Sequence, residues 1–371
     1  MKLIEKCIDT IQNQGIADLH LTANNLPYAR HNNGEMYTFA DSRITTADLE
    51  ELADEIGLRT PLAPFFTEGA LSENTRSDFT GSLNGCHLRV NASVTADNAI
   101  SFVMRVVPDE IPSLGSLRLR PQDVDALKAI VRDKTGLVLV TGATGSGKST
   151  TLAALVDYIN ESFARHIILI EDPREFVHVN KKSKITPYAL GQGAVTSFSK
   201  ALRAVVRQDP DVIMVGEIRD ADTMSAALAA SDTGHLVLGT LHTRSAAQTI
   251  QRVESFYPAA EQAWARAVLS NNLLAVVAQD LLPCAKGGRV LAYEFMRVNA
   301  AVRTSISDGR SAGIPGVLDT GYAKDGQLPY DKCLQRLASE GLITDEVLTS
   351  NVKVASSIQR ERSEPREATH A

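Results

Sequence analysis

Gly142-Ala143-Thr144-Gly145-Ser146-Gly147-Lys148-Ser149 constrains this chain more than any other stretch. It is a Gly-x4-Gly-Lys-Ser phosphate loop. The apolar run Leu137-Val138-Leu139-Val140 precedes it, and Thr150-Thr151-Leu152-Ala153-Ala154-Leu155 follows. The loop therefore reads as joining a strand to a helix. Glycine opens backbone angles that let successive N–H groups turn inward toward phosphate oxygens, and the helix adds its positive N-terminal end. The candidate nucleotide-binding residues are Gly142, Ala143, Thr144, Gly145, Ser146, Gly147, Lys148, Ser149 and Thr150. Lys148 is expected to pair with the β- and γ-phosphates of ATP, and the Ser149 hydroxyl to hold Mg²⁺.

At 371 residues the chain exceeds the size at which one core usually stops growing, so two domains are expected. Residues 1–107 read as a small α+β domain. It has an opening amphipathic helix (Ile4, Ile8, Ile11), a strand at Asp18–Thr22, and a hairpin turning at Asn32-Asn33-Gly34-Glu35. Thr46–Leu58 has helical period with Thr46 as N-cap, and strands follow at His87–Val94 and Ile100–Val107. Residues 108–120, with Pro108, Pro112 and Gly115, read as a linker. Residues 121–355 alternate apolar strands with helices, the α/β signature of a parallel sheet. From about Ala259 the pattern reads as helical, Glu261 to Leu282 and then Thr344 onward. Residues 356–371 have almost no apolar content and are expected to be disordered.

Three further strand ends carry chemistry. Val212-Ile213-Met214-Val215 runs into Gly216-Glu217-Ile218-Arg219-Asp220, so Glu217 supplies the carboxylate that polarises water, holds a metal-bound water, or both. Ile167–Ile170 runs into Glu171-Asp172-Pro173-Arg174-Glu175. Such crowded negative charge is tolerable beside Mg²⁺. Glu171 is the candidate metal ligand with Ser149, and Glu175 a second candidate catalytic carboxylate. The strand from Leu236 to Leu241 ends at His242, placed to sense the γ-phosphate.

Together these boxes resemble the Walker A, Asp, Walker B and His boxes of the type II/IV secretion ATPase superfamily. The likeness is nearest to its PilT-like branch, which includes the DotB-type ATPases of type IVB secretion and conjugation. The resemblance covers most of the chain and implies a RecA-like ATPase core preceded by a smaller PAS-like α+β domain. It extends to His87-Leu88-Arg89-Val90-Asn91 and Met104-Arg105, which are similar to the family's arginine-bearing strands. It implies that Arg89 and Arg105 reach the nucleotide of a neighbouring subunit in a homohexamer. It also implies work on an inner-membrane secretion, conjugation or pilus complex. The family's four-cysteine zinc insertion is missing, since Cys7, Cys86, Cys284 and Cys333 are scattered. The retraction motors' Ala-Ile-Arg-Asn-Leu-Ile-Arg-Glu signature is only faintly matched at 301–309. That departure favours a type IVB secretion or conjugation role, with pilus retraction as the alternative.

Other classes fit less well. A GTPase needs an Asn-Lys-x-Asp reader, and Asn180-Lys181-Lys182-Ser183 lacks the Asp. A small-molecule kinase would show an arginine-rich lid. A net charge of −6 without aromatic-basic clusters argues against direct nucleic-acid binding. A non-catalytic scaffold would not need Lys148, Ser149 and Glu217 together. No stretch reads as a membrane span, so the expectation is a cytoplasmic protein recruited to the inner membrane by partners.

Overall fold

The computed structural model describes residues 2–13, 16–31, 35–67, 69–72, 75, 77–107, 110–190 and 197–352. The proposed turn residues 32–34, Pro108 and Asp109 of the linker, and the 356–371 tail lie outside them. Two compact units emerge from the contacts. One holds Met1–Ile111, Glu171–Val179 and Ala189–Ala194, and the other Pro112–Ile170, Asn180–Tyr188 and Val195–Ala371.

The N-terminal elements are α1 (Leu3–Asn13), β1 (Ile16–Thr22), β2 (Tyr28–His31), β3 (Met36–Thr38), α2 (Thr46–Glu55), α3 (Arg59–Phe66), β4 (Asp78–Leu83), β5 (Cys86–Val94) and β6 (Ile100–Val106). The strands form one antiparallel sheet in the order β3-β2-β1-β6-β5-β4. Alternation decides its faces: Ile100, Phe102 and Met104 are buried, while Arg105 is exposed on the other side. The cap of α2 is Thr45, not Thr46. The Thr45 hydroxyl accepts the Asp48 N–H, and the Asp48 carboxylate accepts the Thr45 N–H, a reciprocal capping box. With threonines at both 45 and 46, local sequence alone did not separate them.

The second unit, with the terminal residues Glu171 and Ala189 of two strands counted in the first, is built on α4 (Pro121–Ile130), β7 (Gly136–Thr141), α5 (Lys148–Ser162), β8 (His166–Glu171), β9 (Lys184–Ala189), α6 (Phe198–Val205), β10 (Val212–Val215), α7 (Ala221–Asp232), β11 (Leu236–Leu241), α8 (Ala246–Ser255), α9 (Ala259–Asn272), β12 (Leu273–Pro283), β13 (Arg289–Arg297), α10 (Ala300–Ser307), α11 (Ile314–Gly321), α12 (Tyr330–Ser339) and α13 (Asp345–Asn351). Its seven strands are ordered β13-β12-β7-β11-β10-β8-β9. Neighbours from β12 through β8 run parallel, and β13 returns antiparallel to β12. Every residue of β7, β10 and β11 is buried, as expected of parallel strands covered on both faces.

The segment read as a helix to Leu282 is split. Helix α9 stops at Asn272, and Leu273–Pro283 is β12, a core strand beside β7. Its first six residues, Leu273–Ala278, are apolar throughout, and such a run has no period that separates helix from strand. Sheet pairing on both edges decides it. The second half of the presumed linker is also packed: Leu114 and Leu119 are buried in the core of the second unit.

A buried polar network fixes the start of α4. Arg120 donates to Asp123 through Nε and Nη2, both at 2.7 Å. The Tyr293 hydroxyl of β13 accepts the Arg120 N–H at 2.7 Å and donates to Asp123 Oδ2 at 2.6 Å. Tyr293→Phe removes one partner from each, at an expected cost of about 1–3 kcal/mol. The check is the midpoint of thermal unfolding without nucleotide; an unchanged midpoint means the hydroxyl adds nothing.

Candidate active site

The phosphate loop is shaped by what lies behind it. Gly142 has φ 151°, and a Cβ there would stand 2.2 Å from the Gln279 carbonyl oxygen and 2.4 Å from Ser146 Oγ. Only glycine fits. Gly147, at φ 86°, is the N-cap of α5 and lets the chain enter the helix from a left-handed residue. Ala143, Thr144 and Gly145 form an exposed tip, while Lys148, Ser149 and Thr150 are half-buried on the first turn of α5. The Lys148 ammonium donates to the Gly142 and Ala143 carbonyls at 3.1 and 2.9 Å, so it is folded over the loop.

Parallel register brings the other strand ends to the same edge of the sheet. Thr141 pairs with Leu241, and Val215 with both Gly239 and Ile170. Glu217 follows β10 in a backbone fixed from both sides. The Gly216 N–H donates to Ile170 O at 2.8 Å, and the Ile218 N–H to Thr240 O at 2.9 Å. Its carboxylate meets two partners: Arg219 Nη2 at 2.6 Å on Oε2, and His242 Nε2 at 2.8 Å on Oε1. Burial pushes the Glu217 pKa up, but the hydrogen bonds and charges of Arg219 and His242 outweigh it and hold the group below the ordinary carboxylate range. Glu217 and His242, expected at separate strand ends, are thus one contact. An acid held ionised at this edge can orient or deprotonate a water.

Glu171 is in the opposite state. It ends β8 nearly buried, and burial pushes its pKa up to about 7, against the pull of the Glu175 N–H and Arg174. Glu175 is exposed, and its N–H donates to Glu171 Oε1 at 3.3 Å. In the antiparallel sheet, Arg89 of β5 and Arg105 of β6 are register partners. Each is paired with an aspartate: Arg105 Nε with Asp18 Oδ1 at 2.7 Å, and Arg89 Nη2 with Asp78 Oδ1 at 3.5 Å. The four line one small cleft.

Two contacts escaped the sequence reading. Arg219 was quoted only as part of a box, yet it touches Glu217. Gln279 carries no role in the sequence reading; it is a buried β12 residue hydrogen-bonded to Ser146 O and to Thr151. An amide at the end of the apolar run Leu273–Ala278 was the available signal, since a buried polar group needs partners.

A phosphate loop on a central strand, with an ionised acid two strands away, defines a RecA-like P-loop ATPase. The chain belongs to the Type II/IV secretion system protein family, which matches residues 64–359. It is an ATP-binding ATP hydrolase of that family. It is 41% identical over 283 residues to the type IV pilus retraction ATPase PilT of Pseudomonas aeruginosa, covering 76% of this chain and 80% of that protein. The crystal structure of the pilus retraction motor PilT with bound ADP is 37% identical, with TM-score 0.83, over 97% of this chain and 99% of that one. The Legionella pneumophila ATPase DotB superposes with TM-score 0.77 at 24% identity, over 94% of each chain. At that identity the likeness is one of fold. The lean toward type IVB secretion, drawn from residues 301–309, is therefore not the reading the comparisons favour. Residues 301–307 of that string lie on α10, an eight-residue helix with only Val302 and Ile306 buried. Few packing constraints fix the residues of such a helix.

Because the folded pKa of Glu171 lies above its ordinary value, the folded state keeps a proton that the unfolded chain loses. Stability then falls as pH rises from about 4.5 to about 7 and levels off above. Glu171→Gln removes that slope. Without nucleotide, the variant is expected to match the parent near pH 4.5 and to exceed it by up to about 3 kcal/mol at pH 8. Unfolding midpoints at the two pH values check this; a constant difference refutes it.

Proposed function

We propose that this chain is the ATP-driven retraction motor of a type IV pilus. The similarity to the P. aeruginosa retraction ATPase along four-fifths of that protein carries the reading. The likeness to the PilT retraction motor over nearly the full chain supports it. The motor works as a homohexamer on the cytoplasmic side, recruited by the pilus complex at the inner membrane. No helix among the described residues is long and apolar enough to cross a membrane.

In this reading Gly142 to Thr150 hold the phosphates of ATP, with Lys148 pairing the β- and γ-groups. The oxygen donors at the sheet edge, Ser149 and Glu171, suit a hard ion such as Mg²⁺, which neutralises phosphate charge when bound. Glu217 orients the attacking water and takes its proton, while His242 and Arg219 keep the carboxylate ionised and aimed. Glu175 stands as the second carboxylate of the site. Arg89 and Arg105 act on the nucleotide of the adjacent subunit. Two guanidiniums directly opposite in register repel each other. Asp18 and Asp78 offset that repulsion, and an approaching phosphate would offset it further.

Lys148→Ala is expected to weaken nucleotide binding or abolish turnover. Glu217→Gln should keep binding while slowing hydrolysis by about a hundredfold or more. Nucleotide binding and phosphate release measure the two; parental hydrolysis by Glu217→Gln would move the role to Glu171 or Glu175.

Neither the Arg89→Ala/Arg105→Ala double variant nor Lys148→Ala should hydrolyse ATP alone, but mixed rings should recover part of the activity. Each competent site then joins an intact loop to arginines from its neighbour. Full activity of the arginine variant by itself rejects the assignment.

In cells, Glu217→Gln is expected to abolish twitching and leave excess pili. Normal twitching with loss of DNA or protein transfer would instead establish the type IVB role.

A further inference from the structure

The phosphate loop of this chain is held from behind by one side chain that the family boxes do not include. Gln279, on β12, is 3% exposed. Its Nε2 donates to Ser146 O at 2.8 Å, and its Oε1 accepts from Thr151 Oγ1 at 3.0 Å. One end thus grips the loop just before Gly147, and the other grips the first turn of α5. The amide fits because it offers a donor and an acceptor a fixed distance apart, which no apolar or singly polar side chain does.

The same residue explains two of the loop's glycines. Its backbone carbonyl oxygen, present whatever the side chain, would stand 2.2 Å from a Cβ on Gly142, and its side-chain Nε2 3.3 Å from a Cβ on Gly147. Both ends of the loop therefore close against Gln279. The buried Ser146 and Thr151 polar groups would lose these partners if it were apolar, and the loop would be free to relax.

We infer that Gln279 is a positioning residue for ATP binding: it sets the curvature that turns the loop N–H groups toward the phosphates. Buried behind the loop, it acts through Ser146 and Thr151. The inference rests on the nucleotide site and is independent of whether the motor serves a pilus. Fixing a binding geometry to within an ångström is worth on the order of a hundredfold in rate.

The test measures ADP binding to the full-length protein at pH 6 and pH 8.5. Gln279→Leu is expected to weaken ADP about tenfold or more. Gln279→Glu keeps the shape but titrates. Protonated, its O–H can donate to Ser146 O while its C=O accepts from Thr151, as the amide does; ionised, it faces the Ser146 carbonyl with no hydrogen to give. The ratio of variant to parent Kd should therefore be about tenfold at pH 8.5 and approach one at pH 6. Thr151→Val added to Gln279→Leu should cost nothing more, because both delete one linkage. The inference is overturned by parental affinity in Gln279→Leu, by a Gln279→Glu ratio that does not change with pH, or by additive losses in the double variant. If Gln279→Leu does not fold, the Gln279→Glu ratio decides alone. Failure of the parent itself to bind ADP would strike the nucleotide site, a result distinct from all of these.

Discussion

The chemistry of this protein depends on a sheet buried on both faces. Strands β7, β11, β10 and β8 run parallel, and apart from the half-buried His166 all their residues are buried. Charged residues have no place in the middle of such strands, so they collect where the strands stop. Parallel alignment then sends all the carboxyl ends to one edge. The phosphate loop, Glu171, Glu217 and His242 follow from that single constraint, although 100 residues of chain separate the first box from the last.

At that edge, environment gives two carboxylates opposite states. Glu217 meets a guanidinium and an imidazole and is held ionised. Glu171 ends its strand in a burial that favours the proton. Environment thus separates the pKa values of two carboxylates of one kind. The difference lies in side-chain packing, since both residues are glutamates following apolar strands.

The arginine-bearing sheet solves a related problem. Arg89 and Arg105 are forced side by side by the β5–β6 register. Asp18 reaches Arg105 from the facing strand β1, and Asp78 reaches Arg89 from β4. The cluster keeps cationic groups grouped on the less apolar face of a sheet whose other face is core. Asp18 is buried while Arg105 is largely exposed, so that pair anchors the guanidinium at the sheet surface.

The sequence by itself determined the elements whose signal is local. The glycine spacing of 142–149, the apolar runs before each box and the alternation along β6 each follow from backbone geometry, and they were enough to give the ATPase class. The pilus or secretion role was less legible, because most of the string at 301–309 sits on a largely exposed helix where few contacts fix residue identity. Only the tertiary structure decided what depends on partners distant in the chain. Leu273–Pro283 is a strand because β7 and β13 pair with it, not because of its own period. His242 reaches the Glu217 carboxylate because β10 and β11 are neighbours, joining Arg219 from two residues along. Gln279 bridges Ser146 and Thr151 because β12 lies beside the loop, more than 120 residues away in sequence. A hydrogen bond of that span leaves no periodicity to read; it exists only once the sheet has closed around it.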